Sequence, residues 1–178
     1  MRLVPFGNAH LDDSATGASC QHGEVECEGN VYELCAMRMA YYRFEDYSPF
    51  VKCLESALGE QVSEYNPSPS SDAKGMAHAC LPNLKAENAT APALDRCFAE
   101  EGKALNTWAG NMTAFEKQSS PFNKVPSFFL GSFDACKEDD GAFSQVTAYS
   151  QTPEGVREAI CAQYKALGGG GVEACKGL

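Results

Sequence analysis

Apolar and polar positions alternate in blocks along this chain, and the blocks predict a strand, a series of helices, two strands and a last helix. Leu3 to Phe6 is a short apolar run closed by Gly7-Asn8, which predicts a strand and turn. Residues 8–30 are polar and rich in Gly, Ser, Asp and Glu, and read as loop. Val31 to Phe44 is dense in Leu, Met, Ala and Tyr, and reads as helix. Tyr41 and Tyr42 are expected to pack inside this helical region. Ser48-Pro49 resembles a helix start, with Ser48 as cap and proline at the first helical position. That helix would end at Gly59.

Residues 66–72 read as loop by composition, and Asp72 is placed to cap a helix over 72–81. Two further helices are expected at 91–102 and 103–117. Val125 to Gly131 is a β run ended by glycine, and Ser144 to Tyr149 a weaker one. Glu138-Asp139-Asp140 reads as a solvated turn, with a weak calcium contact as the alternative. Thr152-Pro153-Glu154 opens a helix to about Leu167, and Gly168 to Gly171 ends it. Consecutive helices between strands suit an α+β fold, or an α/β domain with a helical insertion.

Composition narrows the function. The 178 residues suit one domain, and 44% hydrophobic residues suffice for a core. A formal net charge of −10 opposes binding to nucleic acid or to an anionic membrane surface. No stretch approaches the ~18 apolar residues of a membrane span. Residues 1–7 have no signal-peptide pattern.

Nine cysteines at 20, 27, 35, 53, 80, 97, 136, 161 and 175 spread along the chain. Such a set makes a disulfide framework in an oxidising compartment and has little structural use in a reducing one. Two glycosylation sequons agree with that compartment, Asn88-Ala89-Thr90 and Asn111-Met112-Thr113. The rival is a cytosolic protein with free thiols.

Cys20-Gln21-His22-Gly23-Glu24-Val25-Glu26-Cys27 is the densest motif. It can close a small disulfide loop, or each cysteine can bond elsewhere; the residues alone do not rank the two. His22 can favour thiolate at a neighbouring cysteine. Cys20, His22 and Cys27 are also three metal-ligand types, without the paired short spacing of zinc knuckles, so no metal is assigned. His10 and His78 read as solvated or structural, and Phe128, Phe129 and Trp108 as core.

The pattern Cys-Gln-His-Gly-x-x-Glu-Cys at 20–27 resembles the signature of the gamma-interferon-inducible lysosomal thiol reductase family. Leu3 to Ala9 is similar to the segment that leads into that signature, and Cys35 follows at a similar spacing. Cys80 and Cys97 resemble cysteines of the family's helical insert. Val125-Pro126 resembles its cis-proline segment, and Cys161 with Cys175 its C-terminal helix and last cysteine.

The resemblance implies a single thioredoxin-like α/β domain over 1–178 with a helical, disulfide-rich insertion over about 31–118. It implies reduction of protein disulfides by thiol exchange, with no metal or organic cofactor, in an acidic endocytic compartment or after secretion. Substrate backbone would meet Val125 and a cis Pro126. Candidate disulfide cysteines are Cys20, Cys27, Cys35, Cys53, Cys80, Cys97, Cys161 and Cys175. Cys20 or Cys27 is expected within ~7 Å of another cysteine by Cα. Cys80–Cys97 and Cys161–Cys175 are the next expected pairs, and Cys136, which matches nothing in the family pattern, is the odd one.

The family's redox pair is a Cys-x-x-Cys at a helix N-terminus, where the dipole favours thiolate and the second thiol resolves the mixed disulfide. No two of the nine cysteines stand three apart. The expectation is therefore a domain whose first strand and active-site helix precede Met1, so that residues 1–178 alone are inactive and poorly folded. Two alternatives belong to other classes: a secreted binding protein that keeps the scaffold without the redox pair, and a saposin-like helical lipid-binding domain.

Overall fold

The computed structural model describes residues 3–61, 72–119, 127–130, 133–139, 142–145, 153–166 and 175. The chain divides into two compact units, Met1–Ala114 and Phe115–Leu178.

The first unit is mostly helical. A two-stranded antiparallel hairpin, β1 (His10–Leu11) and β2 (Ala18–Ser19), precedes α1 (Glu24–Met39), α2 (Phe44–Gln61), α3 (Ala73–Cys80), a 3-10 turn (Leu81–Asn83) and α4 (Ala91–Ser119), of which the residues up to Ala114 belong to this unit. At its centre is α1, where Val31, Leu34, Cys35, Ala36 and Met37 are all completely buried. α2 and α3 pack on it and on each other. α4 approaches α1 closely at Gly102, where an added Cβ would stand 2.6 Å from Val31 Cγ1. Tyr32 of α1 stacks on Phe98 of α4, with ring centroids 4.6 Å apart.

Several elements differ from the sequence expectations, each for a local reason. Leu3–Phe6 is not a strand. The Phe6 carbonyl accepts from the Ala9 N–H in a turn, and Phe6 with Leu11 lies against Gly110 of α4. Its apolar side chains are thus used in helix contact rather than in a sheet. The polar stretch 8–30 holds the hairpin and the start of α1. The helix expected from Val31 begins seven residues earlier, at Glu24, and ends at Met39.

α2 begins at Phe44 rather than at Ser48, so Pro49 lies inside it. The Arg43 carbonyl starts the helix by accepting from the N–H groups of Asp46 and Tyr47. Tyr47 and Phe50 flank the proline and are fully buried. At about 1.5–3 kcal/mol each, their burial offsets the ~3 kcal/mol that an interior proline costs. The two helices expected at 91–102 and 103–117 are one, because Gly102 serves the contact with α1 rather than a break. α3 follows expectation: Asp72 Oδ1 accepts from the Gly75 N–H at 3.0 Å.

The second unit holds a three-stranded antiparallel sheet in the order β3-β4-β5, formed by Ser127–Leu130, Phe133–Asp139 and Ala142–Gln145. β3 lies inside the expected β run. β4 takes in Glu138 and Asp139, where the sequence predicts a solvated turn, and pairs them with Phe143 and Ala142. Of the weaker strand expected over 144–149, Ser144 and Gln145 fall in β5, and residues 146–149 lie outside the described residues. α5 (Pro153–Ala166) begins at the predicted proline and packs on β3 and β4. The molecule is mostly helical and disulfide-rich, but its strands separate it from an all-helical saposin-like domain.

Candidate functional site

The cysteine signature occupies the junction between β2 and α1. Cys20 follows β2 directly. Its carbonyl accepts from the Gly23 N–H at 3.2 Å, closing a tight turn. Gly23 caps α1 with φ +88°, a left-handed conformation that favours glycine. Glu24 and Glu26 then fill the first helical turn, where carboxylates complement the helix dipole. Glu26 also reaches back: its Oε2 accepts from the His22 backbone N–H at 2.7 Å and lies 3.1 Å from His22 Nδ1.

Cys20 and Cys27 are bonded to each other, with Cα atoms 5.6 Å apart. This answers the question that the residues alone left open. While bonded to each other the two sulfurs are not ligand thiolates, and among the described residues no group of three or more His, Cys, Asp and Glu is placed to hold a metal ion. The two sulfurs have unlike surroundings. Cys20 is half-buried, and Asn30 Nδ2 donates toward its Sγ from 3.8 Å. Cys27 is 1% exposed, with its Sγ 3.2 Å from the Ala18 carbonyl oxygen. Cys20 is thus the more accessible sulfur of the pair, and Cys27 the enclosed one. The arrangement is chemically capable of thiol exchange through Cys20, with Cys27 as the resolving sulfur.

The hairpin that carries Cys20 is itself anchored. Asp12 Oδ1 accepts from the Ser14 N–H at 2.9 Å in its turn, and hydrogen bonding from the Ser14 side chain first and its N–H second holds the Asp12 carboxyl below the usual carboxylate range. From α4, the fully buried Asn106 donates Nδ2 to the Thr16 carbonyl at 3.1 Å.

The other disulfides are Cys35–Cys97, Cys53–Cys80 and Cys161–Cys175. The expected Cys80–Cys97 pair is therefore wrong. Cys80 ends α3 beside α2, which offers Cys53, whereas Cys97 on α4 faces Cys35 of the central helix. Sequence proximity favoured 80 with 97; helix packing separates them. Cys136 lies on β4 in register with Phe128 and Gln145. Val125 and Pro126 fall outside the described residues.

Asn88 stands exposed in a turn before α4, and Asn111 is exposed on α4 itself. His10 is exposed on β1. His78 is structural: its Nε2 lies 2.7 Å from Asp95 Oδ1, and Lys74 Nζ binds the other oxygen at 2.8 Å. Lys74 first and His78 second hold Asp95 below the usual carboxylate range. Trp108 packs against the core. Tyr41 and Tyr42 do not pack inside; they are 81% and 47% exposed.

Two features had no sequence expectation. One is Asn30, whose position one helical turn beyond Cys27 was a readable signal. The other is Glu33, 2% exposed in α1 with Oε1 lacking a hydrogen-bond partner. Burial, then the charge and hydrogen bond of Glu55 on α2, raise the Glu33 carboxyl well above its ordinary range.

Fold and site together define a mostly helical, disulfide-stapled protein with a cysteine pair bonded across a helix N-terminus. Residues 1–84 match the family model described as gamma interferon inducible lysosomal thiol reductase. A gamma-interferon-responsive lysosomal thiol protein of Arabidopsis thaliana is 48% identical over 56 residues, covering 32% of this chain and 23% of the relative. A gamma-interferon-inducible lysosomal thiol reductase of Carassius auratus is 38% identical over 58 residues, covering 32% and 22%. Over residues 1–84, which carry the cysteine signature and its disulfide, the chain is similar to the gamma interferon inducible lysosomal thiol reductase family. The matched segment spans under a quarter of the length of either relative. No solved structure matches the chain.

Proposed function

We propose that this chain supplies the signature and helical-insert portion of a thiol–disulfide oxidoreductase that reduces disulfides of protein substrates by thiol exchange. The supporting observation is the complete Cys-Gln-His-Gly-x-x-Glu-Cys motif, folded as one bonded unit on the N-terminus of α1, in a chain that matches the thiol reductase family over residues 1–84. The setting is the secretory pathway, with the lysosome or the extracellular space as the destination. Four disulfides and two sequons suit that oxidising route. Among the described residues no helix is long and apolar enough to cross a membrane.

A thioredoxin-like arrangement is part of the proposal. β3, β4 and β5 with α5 would form its C-terminal portion, residues 31–118 its helical insertion, and Val125-Pro126 its substrate-facing edge. The whole of 1–178 would then count as one domain with the catalytic Cys-x-x-Cys supplied from outside these residues, because no two of the nine cysteines are three apart. The reaction needs only thiols, with no metal or organic cofactor. That missing spacing also favours a second reading, a secreted binding protein on the same scaffold.

Reading the transcript upstream of the Met1 codon and assaying insulin reduction at acidic pH separates the two. The first reading expects an upstream Cys-x-x-Cys in frame, and activity that appears only when it is included. An in-frame stop directly upstream, with residues 1–178 no faster than a cysteine-free control, leaves the binding protein. Turnover by residues 1–178 alone that is lost on Cys20→Ser would move the active site to the signature.

A further inference from the structure

The C-terminus of α1 carries a strain that its own packing does not require. The Tyr41 N–H donates to the Arg38 carbonyl at 2.9 Å, and the Tyr42 N–H to the Met37 carbonyl at 2.8 Å. This double closure puts a left-handed residue just beyond the helix cap, where glycine is the usual occupant because a Cβ is strained there. Here that residue is Tyr41, with φ 52°, and a second left-handed tyrosine follows, Tyr42 with φ 57°. Burial does not offset the strain, since Tyr41 is the most exposed of the large hydrophobic side chains that stand out at the surface. A strained residue held out into solvent is a reason to look for a surface role.

Tyr41 lines a cavity of about 600 Å³ together with Arg38, Arg43, Arg96 and Asn88. Ion pairs with Glu101 and Asp46 fix the guanidinium groups of Arg38 and Arg43. Asn88 is the sequon asparagine. It is exposed in a turn in which the Ala89 N–H donates to the Ala86 carbonyl at 3.1 Å. Two residues on, Thr90 is exposed, and its Oγ1 accepts from the Ala93 N–H at the start of α4. The second sequon is presented differently: Asn111 lies within a helix and Thr113 is buried.

We propose that Asn88 is N-glycosylated and that the Tyr41 cavity seats the first N-acetylglucosamine residues of its glycan. The proposal rests on passage through the secretory pathway, as argued above. In the attachment, Asn88 Nδ2 loses a proton to solvent and bonds to the anomeric carbon of the sugar. The bond from that carbon to the lipid diphosphate donor breaks, and the diphosphate leaves with the electron pair. Once attached, the sugar can lay its C–H face on the Tyr41 ring, while guanidinium N–H groups donate to hydroxyl and acetamido oxygens. The glycan is favoured over a free ligand because its anchor is already part of the cavity wall. A short tether gives a local concentration in the millimolar range.

The test is to secrete residues 1–178 from a eukaryotic host behind a host leader, with Asn111→Gln so that one sequon remains. Mass spectrometry after enzymatic glycan release in heavy-oxygen water reads occupancy at Asn88. Thermal melting before and after release reads the seat. Occupied Asn88 and a Tm that falls by about 2–4 °C on release are expected. Tyr41→Phe should keep that difference, and Tyr41→Gly should abolish it. Tyr41→Gly also relieves the left-handed strain, so its glycan-free form should melt no lower than the parent, and loss of folding does not confound the result. Unoccupied Asn88, or a Tm difference indifferent to residue 41, overturns the proposal. Because the host leader routes the chain and no reduction is assayed, either failure counts against the glycan seat and leaves the reductase reading to its own test.

Discussion

In the helical core, Cys35–Cys97 spans 62 residues and Cys53–Cys80 spans 27, whereas Cys20–Cys27 at the edge of α1 spans seven. Loop-closure entropy ranks them at about 4.3, 3.6 and 2.5 kcal/mol, a spread of less than twofold because the dependence is logarithmic. Their surroundings differ more than these numbers. Cys35 and Cys80 are buried in the helical core, and their bonds tie α1 to α4 and α2 to α3. The Cys20–Cys27 bond ties a hairpin end to a helix start, and one of its sulfurs is only half-buried. Core disulfides in this fold are staples; the signature disulfide has the environment of a bond that can be exchanged.

The largest expected effect tests the staple side. Cys35→Ala with Cys97→Ala should cost about 4 kcal/mol and lower the Tm by roughly 8–16 °C. Removing Cys20 and Cys27 together should cost distinctly less, about 2.5 kcal/mol, by the same melting experiment. Equal losses would erase the contrast between core and edge.

A smaller effect sharpens the core side. Gly102→Ala places a Cβ against Val31 and should cost about 1–3 kcal/mol by overpacking, measured by urea unfolding. A neutral result would mean that α1 and α4 are less closely joined than Cys35–Cys97 and the Tyr32–Phe98 stack imply.

Proton linkage adds a third. The Glu33 carboxyl is raised in the folded chain, so its contribution is fully present below the unfolded glutamate range near ~4.3 and is lost as pH rises through the folded value. Within that window the unfolding free energy should fall by up to about 1.4 kcal/mol per pH unit on this account. The core is thereby biased towards acidic conditions. Glu33→Gln should flatten this dependence and stabilise the chain at neutral pH, read as Tm against pH. An unchanged slope would assign the dependence elsewhere.

The smallest effect sits at the edge. Glu26→Gln replaces a charge-assisted acceptor at the His22 N–H and should cost about 0.5–1.5 kcal/mol. Graded dithiothreitol followed by alkylation and mass spectrometry should open Cys20–Cys27 before Cys35–Cys97, and earlier still in Glu26→Gln. If Cys35–Cys97 opened first, the assignment of staple and exchangeable bond would be reversed.

Local chemistry made some elements readable and hid others. α3 and α5 were legible because each begins with its own signal, Asp72 as a side-chain cap and Pro153 at the first helical position. β3 was legible as an apolar run before a glycine. The start of α1 was hidden, because Gly23 and two glutamates read as loop until a hairpin and a disulfide hold them at a helix end. Pro49 and Gly102 misled for a shared reason. Each is a breaker by local preference, and each is outweighed by tertiary packing: burial of Tyr47 and Phe50 beside Pro49, and the close approach of α1 at Gly102. Within the site, the cysteine signature was readable as a string. The unlike settings of its sulfurs were not, since Asn30 and the Ala18 carbonyl reach them only through the fold.

By itself the sequence determined the framework: enough cysteines for a stapled core, a signature that resembles one family's, sequons, and the helices whose ends carry their own caps. These are properties of neighbouring residues, set by backbone preference and by side chains within a few positions. Tertiary structure alone decided that Cys35 meets Cys97 and Cys53 meets Cys80, that α4 runs unbroken past Gly102, and that Glu33 is buried facing Glu55. It alone turned Tyr41 outward beside Asn88. Each of these depends on residues brought together across the chain by helix packing, where burial contributes several kcal/mol and overrides local preferences worth about one.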